Sequence, residues 1–402
     1  MAYQYKMKLT PEQKAILEGR DGEVKAKVME TIVRYGDMFE ASELVKVTHG
    51  KGHLVTSFGL SLLKPVYRIM DELIGAGLKV EDGFTMDPAP VDFKNVGCSL
   101  LDKFIYSTVL YGTQARYEEQ LTKLGLAGRD AASCACYFDE MGNIPGKGDV
   151  ISWAESSAVN YANSVLGARC NRNSGMIDIF GSIIGYVPKF GLLTDEGRKA
   201  KWKVTVNTTK KPLPQILGSA IGIKVMEDVP YIVGLDKWIG TELNDECKAY
   251  LKDFGAATAS NGAVGLYHVE NVTPEAVEMG ESLLAEGYKE YVVDDAELER
   301  IYKSYPVMWK EPEKEGTLAF IGCPHLSRVQ LEEWSDRIIG TLKAKGRKKV
   351  ACQTVICTAP PVREAFAKTP KYEALMKTGA RITTICPLMF MSNPLTKKKR
   401  VM

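Results

Sequence analysis

The 402-residue sequence lacks any long uninterrupted run of apolar residues. A membrane-spanning helix needs roughly 20 of them, and the N-terminus also lacks the apolar segment that directs secretion. We therefore expect a cytoplasmic protein. The sequence also has little net charge, since 52 basic and 50 acidic residues leave a formal charge of +2. So small a charge favours a small-molecule partner over nucleic acid or an anionic membrane.

Several common site motifs are missing as well. The sequence has no H-E-x-x-H and no C-x-x-C pair, and its four histidines are too scattered for a zinc site. The glycine-rich nucleotide-binding motifs and the G-x-S-x-G of serine hydrolases are also absent. The nine cysteines are an odd number spread over a long chain, which does not fit a disulfide framework. Such cysteines are expected to be buried thiols, catalytic groups or metal ligands.

Helical and strand-like segments alternate along the chain, which predicts an α/β protein with mostly parallel sheets. We predict an N-terminal α/β region over residues 1–200, a middle α/β lobe over 201–310 and a C-terminal βαβαβ domain over 311–402. In the last of these, strands are expected at 317–321, 350–357 and 381–386. Ligands of parallel sheets bind beyond the carboxyl ends of the strands. Cys323 and Cys386 both fall at that edge.

The segment SWAESSAVNYANSVLGARCNRNSG covers residues 152–175. Ser152 and Glu155 have the spacing of a capping box, which predicts a helix that begins at Ser152 and ends near Gly167. The polar loop that follows is rich in arginine and asparagine, which suit bidentate recognition of carboxylate or phosphate. The alternative is a capped core helix followed by an ordinary polar surface loop.

Three further cysteine segments stand out: SCACYF (133–138), GCPHLS (322–327) and TTICPLMFMSNP (383–394). Cys323 lies in a turn before the helix that Ser327 and Gln330 are predicted to cap, and a helix N-terminus favours thiolate. Cys386 lies at a strand end before a proline. Cys134, in a C-x-C pair, is a weaker candidate, because a buried free thiol is a common fate of cysteine.

Taken together, and in their order along the chain, the four segments resemble those of the aconitase X family. The resemblance runs through essentially the whole chain. It implies an aconitase-like fold of several three-layer αβα domains, and the activity of a hydro-lyase (dehydratase). The substrates implied are small hydroxy acids, such as mevalonate 5-phosphate or cis-3-hydroxy-L-proline. It also implies that Cys134, Cys323 and Cys386 bind an iron–sulfur cluster, whether 2Fe-2S, 3Fe-4S or 4Fe-4S.

The resemblance further implies that the helix and loop from Glu155 to Arg172 line the substrate site. We predict Arg169, Asn171 and Arg172 as substrate-binding residues, and Glu155, Ser156 and His53 as catalytic candidates. His325, beside a ligand cysteine, is expected to tune the site or to pack.

The chain departs from the family pattern in two ways. Cys170 stands where relatives usually have threonine, which could change the fit of the substrate or the cluster's surroundings. The swivelling domain of the superfamily is not in this sequence, which stops at Met402, so a separate small subunit is the expected partner.

Two other functions remain open from the sequence. One is a non-catalytic iron–sulfur sensor or scaffold protein, in which the cluster is structural. The other is a metal-free α/β small-molecule-binding protein whose cysteines are all core residues.

Overall fold

The computed structural model describes residues 4–55, 59–306, 311, 313–387 and 400–402, which form an α/β fold of helices and small sheets. The α-helices are α1 Pro11–Leu17, α2 Glu23–Met38, α3 Lys64–Gly75, α4 Leu100–Phe104, α5 Gln114–Leu124, α6 Ser156–Tyr161, α7 Gly175–Ile184, α8 Pro214–Val225, α9 Asp236–Ile239, α10 Asp245–Gly262, α11 Pro274–Met279, α12 Asp295–Ser304, α13 Arg328–Ala344, α14 Pro360–Ala367 and α15 Pro370–Lys377. The strands are β1 Leu44–Lys46, β2 Gly52–Leu54, β3 Phe84–Met86, β4 Tyr186–Pro188, β5 Ala200–Asn207, β6 Pro230–Val233, β7 His268–Val269, β8 Leu284–Asp294, β9 Leu318–Leu326, β10 Gln353–Thr358 and β11 Arg381–Thr383.

Shorter helical turns complete the secondary structure. Two are π-helical and continue α4 and α6, over Ile105–Leu110 and Ala162–Leu166. The 3-10 turns are Arg129–Ala131, Asp139–Met141, Gly191–Leu193, Glu196–Arg198 and Gly280–Leu283. No helix in the described part of the chain is long and apolar enough to cross a membrane.

Two small sheets support the N-terminal part of the molecule. Strands β1 and β4 pair antiparallel, and β2 and β3 pair parallel. Helices α2, α3, α5 and α7 bury their apolar faces around these strands in one core. Because β2 and β3 run in the same direction, the chain leaves both strands at one edge, and His53 and Asp87 lie there.

A four-stranded parallel sheet in the order β7-β6-β5-β8 forms the middle of the chain. Helices α8 and α10 pack closely against each other: at Gly218 and Gly222 of α8, an added Cβ would lie within 3 Å of the α10 backbone. Glycine is therefore required at both positions for this close approach.

The C-terminal sheet has the order β11-β10-β9 with parallel neighbours, which confirms the predicted βαβαβ unit. Between β10 and β11 the chain forms two helices, because Pro370 lacks the amide needed to continue α14 and instead begins α15. Strand β9 continues to Leu326, through the segment predicted as a turn. The domain bounds at 200 and 310 stay predictions.

Candidate active site

A cavity of about 630 Å³ lies where the three parts of the chain meet. Its wall takes residues from the edge of the β2–β3 sheet, from the start of α6, from α8 and α10, and from the carboxyl ends of β9 and β11. Cys134, Cys323 and Cys386 all line it, so the three cysteines that lie far apart in sequence share one surface.

Each cysteine is held by the backbone around it. The amide before Cys134, that of Ser133, donates to the Met86 carbonyl at 2.8 Å, and the Cys386 amide donates to the Ala89 carbonyl at 3.1 Å. Gly322, just before Cys323, has φ +110°, and an added Cβ there would lie 2.4 Å from the Cys357 carbonyl. Only glycine fits at that point, which brings Cys323 to the cavity.

The three thiols suit a multi-atom metal group. In the described part of the chain, one set of three potential ligand atoms lies within 4.8 Å of one another, and it belongs to His53, Asp87 and Glu155. The three cysteines do not belong to that set but share the wall of one cavity. Three cysteines on one cavity wall are the donor set that an iron–sulfur cluster requires.

Burial raises the pKa of the Cys134 and Cys323 thiols. The pKa of Cys134 lies well above its usual value, because the thiol is buried and the Glu155 and Asp87 carboxyls are nearby. The hydrogen bond from the His325 amide lowers this pKa and so opposes the shift. Burial also raises the pKa of Cys323, and the Lys252 ammonium opposes that shift. A positive metal group would favour the thiolate forms, because a coordinating thiol is deprotonated.

Glu155 stands at the start of α6, which begins at Ser156. The predicted start at Ser152 was wrong, because the Ser152 hydroxyl donates to the Asp178 carbonyl at 2.8 Å in the core. Glu155 caps the helix instead: its Oε2 accepts from the Ala158 amide, and from the Ser157 hydroxyl at 2.8 Å. The helix ends at Gly167 as predicted, in a left-handed conformation. This shift places the Glu155 carboxyl in the cavity wall.

A group of buried titratable side chains surrounds Glu155. Burial, followed by the charge of Asp87, raises the pKa of Glu155 to about 7. Burial also raises the pKa of Asp87 well above its usual value and lowers the pKa of His53 to about 4. His53 Nε2 and Asp87 Oδ1 lie 3.7 Å apart, and neither has a hydrogen-bond partner. A carboxyl poised near neutral pH in a cavity is typical of a general acid or base.

The other catalytic candidates are close to this group. Ser156, the first residue of α6, lines the cavity together with Ser157. His53 is buried, and its Nδ1 is hydrogen-bonded to the Thr85 hydroxyl at 2.8 Å. The structure thus brings together all three predicted catalytic residues and all three predicted cluster ligands.

The predicted substrate-binding loop is arranged differently. Arg169 donates to the Asp195 carboxylate at 2.5 Å, and the buried Asn171 donates to the Phe190 carbonyl at 3.0 Å. Arg172 donates to the Ala263 carbonyl; partial burial lowers its pKa, and the Glu155 charge acts against that shift. None of these three lines the cavity, so their contact with substrate stays a prediction.

Cys170, which stands where threonine was expected, belongs to that loop and is fully buried. Its sulfur contacts the Trp153 carbonyl at 3.4 Å and the Asn171 carbonyl at 3.2 Å. It does not line the cavity, and its effect is on the packing that supports the loop.

The sequence reasoning missed Asp87, Lys252 and Asp253. Asp87 follows β3 directly and precedes a proline, a strand-end position that could have identified it. Lys252 and Asp253 lie within α10, where a charged pair looks like an ordinary solvated face, yet the Lys252 side chain is 1% exposed. No local signal in the sequence marks that burial. Residues 388–394 of the last cysteine segment lie outside the described residues.

Comparison with known proteins gives a consistent result. A family model described as the aconitase X first domain matches residues 6–196, and one described as the aconitase X second domain matches residues 200–303. The phosphomevalonate dehydratase large subunit of Thermococcus kodakarensis is 31% identical over 334 residues, which cover 81% of this chain and 76% of that protein. That of Methanocaldococcus jannaschii is 28% identical, over 94% of this chain and 88% of that protein.

Two further matches concern chain length and fold. The cis-3-hydroxy-L-proline dehydratase of Hypocrea jecorina is 27% identical over 84% of this chain, but over only 54% of that protein. A crystal structure of Thermococcus kodakaraensis aconitase X in its holo form is similar with a TM-score of 0.79 and 28% identity, covering 98% of this chain and 92% of that one.

Proposed function

The chain belongs to the aconitase X family, and we propose that it is the catalytic large subunit of an iron–sulfur dehydratase for mevalonate 5-phosphate. It is a hydro-lyase that acts on a hydroxy acid, as its dehydratase relatives do. The observation that carries the proposal is the shared cavity, in which three cysteines face a carboxyl with a pKa of about 7.

Cys134, Cys323 and Cys386 are the residues that would hold the cluster. An iron–sulfur cluster with three protein ligands supplies a Lewis acid that polarises the hydroxyl of the substrate as it leaves. Two groups of residues belong to this cavity: the three cysteines, here called the cysteine side, and Glu155 and Asp87 with the adjacent His53, here called the acid side. The two groups together suit a reaction in which a C–O bond and a C–H bond break on neighbouring carbons.

We assign proton transfer to Glu155. With a pKa of about 7, a fraction of the carboxyl is ionised at neutral pH and can take the proton from the carbon beside the hydroxyl. The C–H electron pair forms the double bond as the C–O electron pair leaves with the hydroxyl oxygen. The proton taken up by Glu155 then passes to that oxygen, which departs as water. The Ser157 hydroxyl and the Ala158 amide hold Oε2, which fixes the carboxyl for this step.

Asp87 lines the cavity together with Glu155, and the buried His53 lies 3.7 Å from Asp87 without lining the cavity itself. A buried polar atom without a partner costs about 1–3 kcal/mol, so His53 Nε2 and Asp87 Oδ1 gain when a ligand supplies a partner. We propose that substrate hydroxyl or carboxyl groups do so. Ser156 is a positioning candidate at the same edge.

A second substrate, cis-3-hydroxy-L-proline, is favoured by the charge of the cavity. The described residues that line it include Asp87, Glu155 and Asp253, but no lysine or arginine. Such a wall suits the ammonium group of an amino acid better than a phosphate. A phosphate would need cations from the loop of Arg172 or from a partner subunit.

The partner we propose is a small subunit that carries the swivelling domain. The relatives from Thermococcus and Methanocaldococcus are named large subunits, and the Hypocrea enzyme is much longer than this chain. We place the assembled enzyme in the cytoplasm, where thiols stay reduced.

The test is an anaerobic assay of the chain together with a candidate small subunit, after reconstitution with iron and sulfide. Each of the two compounds is supplied separately, and loss of water is followed by mass spectrometry. We expect dehydration of mevalonate 5-phosphate. Turnover of hydroxyproline alone would identify the second substrate instead, and an iron-loaded protein inert toward both would favour a sensor or scaffold.

A further inference from the structure

His325 connects the three chain segments that carry the cavity cysteines. Its ring Nε2 lies 3.1 Å from the Ile385 carbonyl, and its Nδ1 lies 3.0 Å from the Ser133 hydroxyl. A carbonyl oxygen only accepts, so Nε2 carries the proton and Nδ1 accepts from Ser133. Ser133 and Ile385 directly precede Cys134 and Cys386 in the chain. One ring therefore bonds to two of the three cysteine segments.

The backbone of His325 reaches the remaining parts of the site. Its amide donates to the Cys134 sulfur at 3.4 Å, and the residue itself is two positions after Cys323 on β9. Its carbonyl accepts from the Lys252 ammonium at 3.0 Å. Every polar atom of this fully buried residue is thus engaged.

Lys252 is in turn fixed by α10. Its ammonium pairs with Asp253 Oδ1 at 2.6 Å, and Asp253 Oδ2 accepts from Gln330 at 2.9 Å and from Gln215 at 3.2 Å. Gln330 belongs to the capping box of α13, and Gln215 belongs to α8. The anchor of the His325 carbonyl is therefore tied to both neighbouring helices.

We propose that His325 is the positioning residue of the cysteine site, which holds the segments of Cys134, Cys323 and Cys386 in one arrangement. The proposal rests on the proposed function in so far as these cysteines bind a cluster. Residues that hydrogen-bond to metal ligands, without binding the metal themselves, orient those ligands. Mutation of such a residue typically lowers metal affinity by about 10-fold to 100-fold. His325 is such a partner for three segments at once.

The chain offers a matched control in His268. It is equally buried, and its Nε2 donates to the Arg198 carbonyl at 2.9 Å, but it lies on β7, in the middle sheet. Substitution of His268 therefore removes a buried histidine but breaks no hydrogen bond to a cysteine segment.

The first measurement is hydrogen exchange of the apoprotein over residues 132–138 and 384–387. His325→Ala is expected to speed exchange in both segments. His325→Asn keeps an acceptor where Nδ1 was, so it should restore protection to 132–138 alone; His325→Gln keeps a donor where Nε2 was and should restore 384–387 alone. His268→Asn should leave both segments as in the wild type.

The second measurement is the loss of cluster absorbance to a chelator after anaerobic reconstitution. His325→Ala should lose it at least about tenfold faster than the wild type, and His268→Asn should not. A wild-type chain that takes up no iron would overturn the proposed function, while the exchange data still decide the role of His325. Unchanged exchange in His325→Ala, or equal changes in the His268 variant, would overturn the positioning role.

Discussion

The two sides of the cavity differ in how their polar groups are satisfied. On the cysteine side, His325, Lys252 and Asp253 bond to one another or to neighbouring segments at every polar atom described above. On the acid side, His53 Nε2 and Asp87 Oδ1 are buried and have no hydrogen-bond partner. His325 and His53 are both at most 1% exposed, so burial alone does not explain the difference.

This difference indicates that the two sides have different roles: one holds the metal ligands in place, and the other binds the substrate and reacts with it. A fully bonded polar network fixes geometry, which ligands of a metal group require. Buried atoms without partners reduce stability, and proteins keep them where function uses them. On the acid side, a bound substrate would supply the missing hydrogen-bond partners. On the cysteine side, the protein itself already supplies them.

The largest expected effect comes from removing a cysteine of the bonded side. Cys323→Ser should abolish both the visible absorbance of the reconstituted protein and dehydration, because Lewis-acid polarisation contributes roughly several kcal/mol to the barrier. Cys352→Ser, at a cysteine outside the cavity, is the control and should keep both. Full activity of the Cys323 variant without iron would refute the division between the two sides.

Removing the carboxyl of the acid side should have a large effect of another kind. Glu155→Gln keeps an acceptor for the α6 cap but cannot take a proton, so kcat should fall by about 10³-fold. Iron content and absorbance should match the wild type. A loss of iron in this variant would show that the acid side also holds the cluster.

The same variant should change how stability depends on pH. The pKa of Glu155 is about 7 in the fold and near its ordinary 4.5 when unfolded, so its stabilising contribution is present at low pH and is lost as pH rises through 7. Between pH 4.5 and 8 the apoprotein should lose about 3 kcal/mol that Glu155→Gln does not lose. Urea unfolding of both proteins across this range measures the difference; parallel curves would contradict it.

The smallest effect is expected at the arginine loop. Arg169 pairs with Asp195, whose side chain is 85% exposed, and such exposed pairs contribute about 0–1 kcal/mol. Arg169→Ala should therefore lower stability by less than about 1 kcal/mol and change KM by less than about threefold. A KM increase of tenfold or more would show that this arginine does reach the substrate.

The features that the sequence predicted well are the local ones. Ser327 and Gln330 form the predicted capping box, because both partners lie within one turn. Ser152 has the same spacing but is used elsewhere, since the carbonyl of Asp178, 26 residues away, takes its hydroxyl. A spacing rule contains no information about such a distant competitor.

The cavity itself depends on contacts over long sequence separations. Cys323 and Cys386 could be placed at a sheet edge from the strand pattern, whereas Cys134 needed its family motif. Asp87 comes beside Glu155 only because β2 pairs with β3 and also forms a bridge to Trp153, in the segment before α6. The bonds of His325 to Ser133, 192 residues away, are of the same kind.

The hydrogen bonds of Glu155 make one carboxyl serve as both helix cap and proton acceptor. Both of its described bonds go to Oε2, from the Ala158 amide and the Ser157 hydroxyl. When the carboxyl takes up a proton, it becomes a weaker acceptor, so its hydrogen bonds to the first turn of α6 weaken. The amide resonance of Ala158 is therefore expected to report each protonation of the site, without substrate or metal.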